Sequence, residues 1–216
     1  MKTLAEAILL VVALALPLRA ADYKVETIGA LTDAAVSEAM RGELAPSGYR
    51  VTGGSGALCE VWFRKVIPQK SAGSDYSTLQ TGTFVGVIRY PGRAGDYRGQ
   101  GIRPGIYTLR YQTIPQDGNH LGVSPSADFL LLAPAADDKD PKAVIAFEEL
   151  VKLSKAAAGT NHPNPLYLAA PGGAPGTFKT DDEGHGILEV KLKAKPAGGG
   201  ESDFPLAVVL VGKSAG

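Results

Sequence analysis

Three histidines carry most of this chain's capacity for chemistry near neutral pH. They stand in Asp117-Gly118-Asn119-His120, Asn161-His162-Pro163 and Glu183-Gly184-His185, all turn-forming contexts. Three neutral imidazoles, with Asp117 adding an oxygen, form a ligand set suited to Zn²⁺ or Cu²⁺. The spacing argues the other way. No H-x-H, H-x₃-H or H-E-x-x-H pair fixes two ligands locally. The ordinary reading is therefore three separate loop residues and no cofactor, with metal binding through His120, His162, His185 and Asp117 as the second reading. The acidic clusters Asp137-Asp138-Lys139-Asp140 and Asp181-Asp182-Glu183 miss the spacing of a calcium loop and read as solvated turns. Cys59, beside Leu58 and Val61, reads as a small buried apolar residue; being the single Cys, it excludes an intramolecular disulfide framework. Ser124 lacks the Gly context of a nucleophile elbow. Tyr90 and Tyr97 flank a loop that also holds Arg93 and Arg98, and these four are the candidate platform for a glycan or small ligand.

The elements that must position these residues are mostly strands. Tyr107, Leu109 and Tyr111 alternate with Thr108, Arg110 and Gln112, which predicts a strand over 106–114 with one buried and one wet face. Further strands are expected at 49–52, 57–67, 83–90, 166–169, 176–179, 187–193 and 206–211. Phe129-Leu130-Leu131-Leu132 predicts a strand buried on both faces, and 206–211 a central one. A helix is expected near 31–44, where Val36, Met40 and Leu44 share a face and Thr32 or Asp33 would cap it. A second is expected near 141–158, capped by Asp140, with Pro141 in its first turn and Gly159 at its end.

The N-terminus reads as an address. Lys2 precedes an apolar run over 7–18, and Ala20 and Ala21 follow, the order of a secretory signal. Cleavage after Ala20 leaves residues 21–216 as one domain in the periplasm or outside the cell, with no transmembrane anchor. The full chain has 216 residues, with 22 basic and 22 acidic side chains, so no global field favours nucleic acid. Its 27 Gly and 15 Pro fit turns between short strands.

Residues Pro104-Gly105-Ile106-Tyr107-Thr108-Leu109 form a P-G-x-Y-x-L strand start. This resembles transthyretin-like and carboxypeptidase-regulatory-like β-sandwich domains of secreted bacterial proteins. Residues 57–67 and 118–132 are similar to an uncharacterised secreted bacterial family of that kind. The resemblance implies a fold and a compartment and carries no activity with it. The resulting expectation is a mainly β protein, a β-sandwich of about eight strands with two short helices. It would act as an exported, non-catalytic module that binds a protein, glycan or small ligand, or has a structural role.

Overall fold

The computed structural model describes residues 23–54, 56–97, 99–114 and 126–212. The signal-like segment, Arg98, Asp117 and His120 lie outside these residues. The chain is mainly β, with more strands than the eight expected. They are β1 (Lys24–Ile28), β2 (Gly48–Gly53), β3 (Gly56–Phe63), β4 (Val66–Gln69), β5 (Phe84–Tyr90), β6 (Ala94–Gly95), β7 (Gly101–Ile102), β8 (Gly105–Thr113), β9 (Asp128–Pro134), β10 (Pro165–Ala169), β11 (Thr177–Thr180), β12 (Gly186–Pro196) and β13 (Ser202–Val211). Two helices accompany them, α1 (Glu38–Glu43) and α2 (Phe147–Ala158).

Eleven strands form one sheet in the order β1-β2-β3-β5-β8-β9-β10-β13-β12-β11, with β4 also on β12 and β6-β7 a separate hairpin. The sheet curls through β10. Pro165–Tyr167 pair with β9, and Leu168–Ala169 pair with β13. Tyr76, from a single 3₁₀ turn, enters that corner. Its Oη donates to the Ala169 carbonyl at 2.8 Å and accepts from the Ala207 N–H at 3.0 Å, joining two register partners. The curl also brings the ring of Tyr23, just before β1, to 4.6 Å from Phe178 on β11.

Alternation in the strands sorts residues into an inner core and two outer layers. The inner core takes Cys59, Val61, Tyr90, Leu109, Leu130, Leu168, Leu206 and their neighbours. One outer layer packs Val36, Met40 and Leu44 on Trp62, Phe84 and Val87. The other packs Leu150 of α2 on Phe129, Leu131, Tyr167 and Val209. The strand β9 is therefore buried on both faces, as its sequence predicts, and β13 lies inside the sheet between β10 and β12, the central place expected of it. Burial first, and the neighbouring Glu60 charge second, push the Cys59 thiol well above its ordinary pKa.

Three expectations need correction. The first concerns β8, which has no wet face: Thr108, Arg110 and Gln112 are as buried as Leu109. The second concerns α2, which begins six residues later than expected. Its N-cap is Ala146, with no side-chain cap bond. Asp140 caps no helix; its Oδ1 accepts from the Lys142 N–H in a local turn, while its carbonyl and that of Ala143 bond to Arg110. These bonds hold residues 140–143 in a turn ahead of α2, where the Asp140 carbonyl also accepts from the Ala143 N–H. Gly159 does end α2, in the left-handed conformation at φ 67°. The third concerns α1, which is capped by Ser37 Oγ on the Met40 N–H, while Asp33 turns the chain ahead of it through the Ala35 N–H. Among the described residues no helix is long and apolar enough to cross a membrane.

Candidate functional site

The most connected polar residue in the described chain is Arg110. It is fully buried on β8. Its Nε and Nη2 donate to Asp138 Oδ2 and Oδ1 at 2.8 and 2.6 Å. Its Nη1 donates to the carbonyls of Gly82 and Ala143, and Nη2 also to that of Asp140. All five N–H donors of the guanidinium are thus used. Thr108 Oγ1 adds a 2.5 Å bond to Asp138 Oδ2. Asp138 is therefore the anchor of a loop and no part of a solvated acidic turn. Gly82 permits the close approach. Its φ is 84°, and a Cβ there would stand 2.6 Å from the Ile145 carbonyl.

This anchoring forms one wall of an open cleft of about 320 Å³. Pro141 to Val144 form that wall. Arg64, Pro68, Gln69 and Lys70 line the facing side at the corner between β3 and β4, and Gln80, Thr83 and Phe84 line the floor. Arg64 ties the walls together. It donates to Glu43 Oε2 at 3.0 and 3.2 Å and to the Pro141 carbonyl at 3.4 Å. Gln69 Nε2 bonds the Gly73 carbonyl and Thr78 Oγ1, both at 2.8 Å, while its Oε1 is buried without a hydrogen-bond partner. Val144, 54% exposed, is the large apolar side chain left in solvent at the rim. Sequence spacing gives no hint of this site, because the loop wall at Pro141–Val144 lies far along the chain from the lining residues between Arg64 and Phe84. The unexplained Arg in the alternating strand 106–114 was the one available signal.

The residues nominated from sequence lie elsewhere. Tyr90 is buried in the inner core, its ring 6.4 Å from Tyr107, and offers no surface to a glycan. Burial, then the neighbouring Cys59 and Asp96, push its hydroxyl pKa well up. Arg93 is exposed in the turn before β6. Tyr97 packs in the outer layer, stacked on His185 at 4.7 Å and edge-on to Tyr167 at 4.9 Å. Tyr90 and Tyr97 therefore share no platform.

His185 is nearly buried. Asp181 Oδ2 stands 2.9 Å from its Nδ1, and Asp181 Oδ1 accepts the N–H groups of Glu183 and His185. Burial alone would raise the Asp181 carboxyl; the hydrogen bonds from His185 and Glu183 outweigh it and hold the pKa below the ordinary value. His162 is exposed, and its carbonyl accepts from Thr160 Oγ1 and Gln100 Nε2. Among the described residues, no three His, Cys, Asp or Glu side chains gather as a metal site. Compared with family models, curated proteins and solved structures, the chain matches none of them.

Proposed function

We propose that this chain is an exported β-rich module that works by binding a small ligand in the cleft between the β3–β4 corner, the start of β5 and the 138–146 loop. The observation carrying this reading is the buried Arg110–Asp138 pair, which holds a cleft wall in place before any ligand arrives. A site held in advance loses less conformational entropy on binding. A volume of about 320 Å³ falls at the lower end of small-molecule sites. Export is supported by the Lys2, apolar run and Ala20-Ala21 order. The P-G-x-Y-x-L start of β8, with its resemblance to secreted β-sandwich modules, points to the same compartment, secreted or periplasmic.

The test is a thermal-denaturation screen of the secreted chain against a metabolite panel, run beside a Val144→Trp variant that fills the rim. Ligands that raise the midpoint of the parent and leave the variant unmoved support the reading. Ligands that stabilise both alike place binding elsewhere and overturn it.

A further inference from the structure

We propose that the cleft takes a small amphipathic oxyanion, a single carboxylate or phosphate group on a compact apolar body. This rests on the cleft being the ligand site. The charge of its lining sets the class. Arg64, Lys70 and Lys142 line it, and no carboxylate does. Arg64 is answered by Glu43 at 3.0 Å. Lys70 and Lys142 make no ion pair with any described residue. On a chain whose formal charges cancel, two unanswered ammoniums at one concavity are a local excess with a sign. An anion there gains attraction from both, while the open cleft leaves the ammoniums hydrated beforehand.

The rest of the lining sets the body. Pro68 at the β3–β4 corner and Ala143 and Val144 on the loop wall are the apolar lining residues that solvent reaches. Val144 is the exposed apolar rim and would be covered by such a body. Inorganic phosphate would use the cations and leave this surface wet. A neutral hydrocarbon would use the surface and leave the charges unanswered. A volume of about 320 Å³ matches a compact body.

The experiment is a titration of the ¹⁵N-labelled secreted chain, followed by amide shifts. The probes are phenyl phosphate, benzoate, benzyl alcohol and inorganic phosphate. The expected result is saturable binding of phenyl phosphate or benzoate, with shifts concentrated at Lys70, Thr83 and Lys142–Val144. The stronger of the two identifies a phosphate or a carboxylate source. Benzyl alcohol and inorganic phosphate bind at least tenfold more weakly. A K70E/K142E variant, changed at two exposed positions, keeps its thermal midpoint and loses at least tenfold in affinity. Benzyl alcohol binding as tightly as the anions, or K70E/K142E binding unchanged, overturns the oxyanion class and leaves the cleft as a ligand site. No saturable shift at the cleft with any probe overturns both.

Discussion

Arg110 and Asp138 show how much one buried pair can organise. A guanidinium out of water is costly unless every donor is met, and here each is. The same bonds also tie down the loop that precedes α2 and forms the cleft wall. Asp138→Asn keeps the shape and removes the charge, leaving a buried cation without its counter-ion. The expected loss is about 3–5 kcal/mol of unfolding free energy by urea denaturation. A loss under about 1 kcal/mol would mean that water reaches Arg110. At this scale the sequence was partly legible. Cys59 is the buried apolar residue its neighbours suggested. Arg110 was misread because a polar residue in an alternating strand ordinarily faces water, and only a covering loop reverses that.

Cross-strand pairs are the next level up. Glu60 on β3 stands opposite Arg50 on β2 and Arg89 on β5. Its Oε1 lies 2.6 Å from Arg50 Nη2, and its Oε2 lies 2.5 Å from Arg89 Nη2. Burial opposes ionisation of Glu60, and the two guanidiniums overcome it, so its folded pKa lies below the ordinary Glu value. A lowered folded pKa stabilises the fold fully above the unfolded value, near 4.3 for Glu, and the contribution is lost as pH falls through the folded value. The stability difference between the parent and Glu60→Gln should therefore be largest above about pH 5 and shrink toward pH 3. Equal pH slopes in the two proteins would show that the ladder contributes nothing. The strands themselves were largely readable, since alternation and continuous apolar runs locate β5, β8, β9 and β13. The break at Arg64-Lys65 was not: β3 ends at Phe63, and β4 crosses to run parallel to β12. Continuous hydrophobicity over 57–67 hides a change of partner.

The whole molecule depends on closure of the curled sheet. β10 changes partners halfway along its length, and Tyr76 bonds both β10 and β13 beside that change. The first and last strands of the order then meet through Tyr23 and Phe178, about 150 residues apart in sequence. A double-mutant cycle on Tyr23→Ala and Phe178→Ala should show a coupling of about 0.5–1.5 kcal/mol, the range for packed aromatic pairs. Additive losses would mean that the two strands contribute independently. The cleft too is assembled only at the scale of the whole molecule. Its three walls reach one place because β4, β5 and the 138–146 loop are carried there by different strands.

Local spacing by itself determined the mainly β class, the two buried faces of β9, the interior place of β13, the apolar face that includes Val36, Met40 and Leu44, and the stop at Gly159. These follow from period, propensity and chirality within a few residues of chain. Tertiary structure alone decided that Arg110 is buried, that Tyr90 is core, that Tyr97 stacks on His185, and that Arg64, Lys70 and Lys142 share a cleft. Burial and charge proximity depend on which distant segments are brought together, and hydrophobic periodicity does not encode the partner.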